Sequence, residues 1–321
     1  MASSKRVVVA AGIANGAIAV LKFLGFLLTG SPAMLSETYH SISDTGNQVF
    51  LLIGLRYSGR EADRTHPFGY GKAQFFYSFL VSVLLFGIAG WMSLTHGYEA
   101  IVHGHGGGLH GTVEFLGASF RAVYVNYAVL IGAFGFEGYA LVTAYRGMRV
   151  DMEAHGWTSF VEAFKKTSNI TTLTAFTEDT VAVCGIVLAF VGVLLTDVTG
   201  NPLWDGLAAL CIGLLLMGFA LALAWENKRL LLGESLPKNE EDELRATVAG
   251  WEGVADVVDF RTVYFGPNRV LVATDVAFAD DLDTGEVDER ITAIEDALIE
   301  QDPGVRKVYI EPETATSAGG H

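Results

Sequence analysis

Cysteine is nearly missing from this chain. Two occur in 321 residues, Cys184 and Cys211, each inside an apolar stretch and neither in a Cys-x-x-Cys pair. That excludes a disulfide framework and a zinc–thiolate centre, and both are expected to be packing residues. Basic side chains are also scarce. With 21 Lys and Arg against 36 Asp and Glu the formal charge is −15, which excludes nucleic acid as a partner, because phosphate binding needs cations in excess. No His-Glu-x-x-His string occurs, so the usual metallohydrolase arrangement is missing and the chain is not expected to be an enzyme. Charge of either sign is thin, at 18% of residues, while 51% are hydrophobic and mean hydropathy is +0.38. Such a chain is too apolar for an ordinary soluble protein and too mixed for a purely membrane one.

What is present divides in two. Apolar stretches at 7–29, 33–55, 75–101, 122–146, 171–196 and 203–225 each approach the length of about twenty residues that a spanning helix needs. Basic residues fall on alternate sides of them. Lys5 and Arg6 precede the first; Arg56, Arg60, Arg64 and Lys72 follow the second; Arg146, Arg149, Lys165 and Lys166 follow the fourth; Lys228 and Arg229 follow the sixth. The other connections are almost free of positive charge, which predicts six spans with both termini cytoplasmic in a cell membrane. The opening Met-Ala-Ser-Ser-Lys-Arg leads into an apolar run with no small-residue cleavage signal, so the first helix is expected to be retained.

Beyond Gly233 the pattern changes. The acidic residues crowd here, as in Glu240-Glu241-Asp242-Glu243, and read as the solvated surface of a soluble unit. Periodicity predicts a helix over 239–250, a strand pair 255–265 and 269–279 around Gly266-Pro267-Asn268, a helix 285–301 with apolar Val287, Ile291, Ile294 and Leu298, and a strand 305–311. The order αββαβ suggests an α+β domain with helices on one face of a small sheet. The expected division is therefore 1–232 for the membrane domain, 233–313 for the soluble domain and 314–321 for a disordered tail.

Ionisable residues inside spanning helices are costly and need a reason. His40 and Asp44, four apart in the second stretch, share one helix face, and the fifth stretch carries Glu178 and Asp179. One imidazole with carboxylates suits Zn²⁺, and also Mn²⁺, Fe²⁺ or Co²⁺. Interhelical hydrogen bonding is the plain alternative for any one of these groups. Lys22 either pairs with a carboxylate in the bundle or snorkels toward an interface. His103, His105 and His110 lie among glycines without fixed spacing, which does not make a tuned site.

Several segments together resemble the cation diffusion facilitators. They are Asn15 and Lys22, Gly-Ser-Pro-Ala-Met-Leu-Ser-Glu at 30–37, Tyr39-His40-Ser41-Ile42-Ser43-Asp44-Thr45-Gly46-Asn47-Gln48, His66-Pro67-Phe68-Gly69-Tyr70-Gly71-Lys72, Leu231-Leu232-Gly233-Glu234, and Arg261-Thr262 through Gly266-Pro267. The resemblance covers nearly the whole chain and is closest to the clade with Glu-Asp in the fifth span. It implies a homodimer of six-helix protomers in the lipid bilayer, with cytoplasmic metallochaperone-like domains for regulation and dimerisation, exporting a divalent cation, Zn²⁺ first, in exchange for protons. No prosthetic group is implied; the metal is the substrate. An exporter of Mn²⁺, Fe²⁺ or Co²⁺, or a membrane metal sensor that moves no ion, stands as the alternative. Carried over, the transport ligands are His40, Asp44 and Asp179, with Ala175 where many members have a His, so Glu178, Asn15 or water must complete the set. Asp63 and His66 match an accessory loop site in which Tyr70 replaces a second His. In the tail, Val258 and Thr274 stand at positions that are His in metal-binding members, while Glu311 and Glu313 stay acidic, so metal is not expected to bind there in the same way.

Overall fold

The computed structural model describes residues 2–103, 111–115, 118–167 and 170–313. Helix α1 (Ala2–Thr29) turns tightly into α2 (Pro32–Ser58). The turn has clear causes: Gly30 takes φ +64°, Pro32 opens α2 with its fixed φ, and the Ser31 hydroxyl accepts from the Met34 amide at 3.2 Å. Helices α3 (Ala73–Leu84) and α4 (Trp91–His103) form one long rod through a π-helical turn at Leu85–Gly90. A hairpin follows, β1 (Thr112–Phe115) and β2 (Ala118–Arg121), then α5 (Val123–His155), short α6 (Phe160–Lys166), α7 (Ile170–Thr199) and α8 (Leu203–Leu232). By length and composition, four helices among the described residues can cross a membrane: Ala73–His103, Val123–His155, Thr172–Thr199 and Leu203–Leu232. In α1 the apolar segment Asn15–Thr29 is shorter. Helix α2 is diluted by Glu37, His40, Asp44 and Asn47, all of them buried.

The chain divides into two compact units, Met1–Arg56 with Phe76–Asn227, and Tyr57–Phe75 with Lys228–His321. The first is apolar outside and polar within. Val20, Leu27, Ile131, Tyr139, Val198 and Leu221 are exposed, while Lys22, Glu37, His40, Asp44, Asn126, Glu137 and Glu178 are buried. A soluble protein has the reverse order, and a bilayer accounts for this one. Met34, Leu85, Leu130, Val181, Ile186, Ile212 and Leu216 form the apolar part of the interior. Cys184 and Cys211 are exposed rather than packed, which corrects the sequence expectation. In a span hydrophobic all round, composition does not distinguish the lipid face from the core face. His105, His110 and the tail 314–321 lie outside the described residues.

The second unit pairs the α2–α3 connection with the C-terminal domain. There α9 (Lys238–Ala249) precedes a three-stranded sheet in the order β3 (Val254–Gly266), β4 (Arg269–Phe278), β5 (Val305–Glu313), and α10 (Thr284–Gln301) links β4 to its parallel neighbour β5. Strands β3 and β4 form an antiparallel hairpin whose turn places Asn268 at φ 51°. Asp283 and Glu286 form a capping box at the start of α10. Leu244, Val248, Val257, Val272, Val276, Ile294, Leu298 and Val305 are buried and form the core; Val287 and Ile291 are half-buried.

Candidate metal-ion site in the helical unit

One turn of α2 separates His40 from Asp44, and their side chains meet: Nε2 lies 3.5 Å from Asp44 Oδ2, with both residues buried. Neither imidazole nitrogen nor Asp44 Oδ1 has a hydrogen-bond partner among the described residues. Buried polar atoms are nearly always satisfied, so these atoms are open to a water or a ligand. Glu178 and Asp179 of α7 and Glu137 of α5 are close enough for their charges to act on Asp44.

The two acidic residues of α7 differ in setting. Glu178 is buried and accepts a hydrogen bond from Asn47 Nδ2 at 2.8 Å, while Asp179 is half-buried. Among the described residues no three His, Cys, Asp or Glu side chains close on one point as a metal centre requires. His40 and Asp44 are thus brought into contact, Glu178 and Asp179 are brought near, and Asn15 is half-buried on α1.

Lys22 does not snorkel. It is fully enclosed, and its ammonium donates to Glu37 Oε2 at 2.7 Å and to Ser41 Oγ at 2.9 Å, on the α2 face next to that of His40. Gly185 of α7 lies against Glu37, since a Cβ there would come within 2.4 Å of Oε1. Glu137 escaped the sequence reasoning although the signal was available: it is the one carboxylate in the apolar stretch 122–146.

Asp63 and His66 lie in the second unit, exposed, with Nδ1 and Oδ1 3.8 Å apart. Asp63 is fully engaged, Oδ1 accepting from the amides of Thr65 and His66 and Oδ2 from the Tyr70 phenol at 2.7 Å. The phenol first, then the His66 amide, holds its carboxyl below the usual carboxylate range. In the C-terminal domain Thr274 Oγ1 donates to the Asp259 carbonyl at 2.7 Å, a structural bond within the hairpin.

Comparison with known proteins bears on the family of the chain. The cation efflux transmembrane domain matches residues 8–232, and the cation efflux protein cytoplasmic domain matches 236–315. The chain belongs to the cation diffusion facilitator family. It is 30% identical over 273 residues to the mitochondrial proton-coupled zinc antiporters SLC30A9 of Mus musculus and Homo sapiens, which covers 85% of this chain and 46% of theirs. It thus spans about half the length of these curated relatives. To the cation-efflux pump FieF of Klebsiella pneumoniae it is 26% identical over 299 residues, covering 93% of this chain and 89% of the pump. The relatives' names are those of transporters, zinc antiporters and a cation-efflux pump, and not of enzymes.

Proposed function

We propose that the protein exports Zn²⁺ in exchange for protons, with His40, Asp44, Glu178 and Asp179 as the transport site. The supporting observation is the buried His40–Asp44 pair, in which both ring nitrogens and one carboxylate oxygen have no hydrogen-bond partner among the described residues. An imidazole nitrogen among carboxylate oxygens is a first shell for Zn²⁺, and each group must be deprotonated to bind it, so metal entry and proton exit are linked. Histidine suits that exchange because its unperturbed pKa of about 6.5 lies near neutral pH. Glu178 joins the set by giving up the Asn47 hydrogen bond. Glu137 adds a further negative charge beside the site, which favours a divalent cation there.

The same reading takes 1–232 as a six-span domain with cytoplasmic termini, including the polar α2 and the shorter apolar part of α1. It takes 233–313 as a cytoplasmic, metallochaperone-like αββαβ domain that joins two protomers, and 314–321 as a tail. Asp63, His66 and Asn15 stand as accessory ligands, Asp63 only where Tyr70 releases Oδ2. The zinc antiporters among the relatives favour Zn²⁺ over Mn²⁺, Fe²⁺ or Co²⁺ as the ion carried.

The test is zinc uptake by sealed proteoliposomes with and without an imposed pH gradient. Uptake driven by the gradient, with proton release into the opposite compartment, is expected, and Asp44→Ala and Asp179→Ala should each abolish it while the protein stays folded. Zinc binding without flux would make the protein a sensor, and wild-type flux in either variant would remove that residue from the site.

A further inference from the structure

The C-terminal domain is the most acidic part of the chain, with 21 Asp and Glu against 7 Lys and Arg over residues 234–313. Against that background, one cleft is lined by Phe265, Arg269, Arg306 and Lys307 and by no acidic residue. Three of the seven basic residues of the domain therefore gather in one place. None of the three forms an ion pair or side-chain hydrogen bond among the described residues, although Asp and Glu outnumber them around the domain. Like charges held together without a counter-charge repel, so the gathering needs a cause.

The backbone supplies the means. Successive residues of a regular strand point to opposite faces, so Arg306 and Lys307 would normally diverge. Here the β4–β5 register jumps: Val270 faces Val305 and Leu271 faces Lys307, leaving Arg306 as the extra residue of a bulge. A bulge re-aims side chains, and this one opens both cations into the same cleft. Bulges are uncommon in parallel pairs, which sets this one apart from ordinary strand irregularity. Arg269 joins them from the start of β4, the neighbouring strand.

The location is as specific as the composition. Phe265 packs near Phe68 of the α2–α3 connection, ring centroids 6.4 Å apart, and the backbone of Gly71 is so close to Phe265 that a Cβ on Gly71 would lie 2.4 Å from its carbonyl oxygen. Arg269 Nη1 lies near Gly69 of the same connection. Gly71 stands two residues before Ala73, where the span-length rod of α3 and α4 begins. The cleft is therefore tied to the connection that leads, two residues after Gly71, into a helix long and apolar enough to cross a membrane.

We propose that this cleft binds a phosphate oxyanion, supplied by an anionic lipid headgroup or by free phosphate. Guanidinium forks of Arg269 and Arg306 match phosphate oxygens in pairs, Lys307 adds a point charge, and Phe265 closes one wall. Basic residues next to a membrane are drawn to anionic headgroups, and the attraction falls with salt.

The test uses the full-length protein in detergent, offered phosphatidylglycerol and phosphatidylcholine together and read by native mass spectrometry, with a parallel calorimetric titration of inorganic phosphate in lipid-free detergent. Selective retention of phosphatidylglycerol is expected. It should weaken about a hundredfold in the Arg269→Gln, Arg306→Gln, Lys307→Gln triple variant, at roughly a factor of five per cation. The single Arg306→Gln variant should show a partial loss, which guards against a folding defect in the triple. Binding of inorganic phosphate that is lost in the triple, without lipid selectivity, assigns the site to a soluble anion. Equal retention of both lipids with no phosphate binding, or wild-type binding of either probe in a folded triple variant, overturns the proposal.

Discussion

Lys22 is fully enclosed and its ammonium has two acceptors, so its charge is tied to Glu37. Removing one member of a buried pair strands the other, at a cost of about 3–5 kcal/mol, whereas replacing both is much milder. Lys22→Met is therefore expected to lower the thermal unfolding midpoint in detergent sharply, and Lys22→Met with Glu37→Gln to recover most of the loss. An additive double variant would show that the two do not act as a pair. Glu178 and Asn47 make a second such test, with a readout in transport. If Glu178 exchanges its Asn47 bond for metal, Asn47→Ala and Glu178→Gln should be non-additive in zinc flux, by about 0.5–3 kcal/mol of coupling. Asp63 gives a pH prediction in the second unit. Its carboxyl is held below its ordinary value, so the stability it lends the α2–α3 connection is fully present above the unfolded pKa and is lost as pH falls through the lowered folded one. Protection of the Thr65 and His66 amides, measured against the intrinsic exchange rate at each pH, should thus fall only on acidification, and Tyr70→Phe should move that onset to higher pH. An onset unmoved by Tyr70→Phe would remove the phenol as the cause.

At the scale of elements, α4 and α8 touch backbone to backbone. A Cβ on Gly97 would lie 2.5 Å from the Leu210 amide nitrogen, and one on Gly213 would lie 2.5 Å from that of Leu94. Small residues at such crossings let membrane helices approach closely where hydrophobic burial supplies no drive. Since backbone cannot step aside as a side chain can, Gly97→Ala and Gly213→Ala should each destabilise by about 1–3 kcal/mol, measured as a fall in thermal midpoint. Gly132→Ala, at a position where an added Cβ meets nothing within 4 Å, is the control expected to leave the midpoint in place. The start of α8 does similar work by polar means: Asp205 accepts from Ser31 Oγ at 2.9 Å and from the Ala33 amide at 3.3 Å, binding the α1–α2 turn to α8.

For the whole molecule, polar groups inside and apolar groups outside mean that the bilayer is the solvent of the helical unit. Cys184 and Cys211 report on this because both are exposed on that outer surface. A charged reagent does not enter hydrocarbon and so does not reach a thiol that faces it. A charged maleimide should leave both unmodified in sealed vesicles and modify both after unfolding in a denaturing detergent. Labelling of either in intact membranes would place its helix face in water.

Much of this was legible in the sequence because local rules decide it. The six apolar stretches all become helical, and four of the helices among the described residues are long and apolar enough to span; α5 and α8 run on to His155 and Leu232, past the expected 146 and 225. In the C-terminal domain, the expected 239–250, 255–265, 269–279, 285–301 and 305–311 fall within a few residues of α9, β3, β4, α10 and β5. His40 and Asp44 could be paired on paper because i and i+4 share a helix face, and they do meet. Other features depended on which faces of separate helices come together. The sequence left the partner of Lys22 open and assigned none of Asn47, Glu137 or Gly185, because residues from Lys22 to Gly185 become neighbours only through packing. The lipid-facing cysteines, the π-helical turn and the bulge that turns Arg306 beside Lys307 were undetermined for the same reason: spacing along one chain fixes the faces of one element, and only the tertiary structure chooses what each face meets.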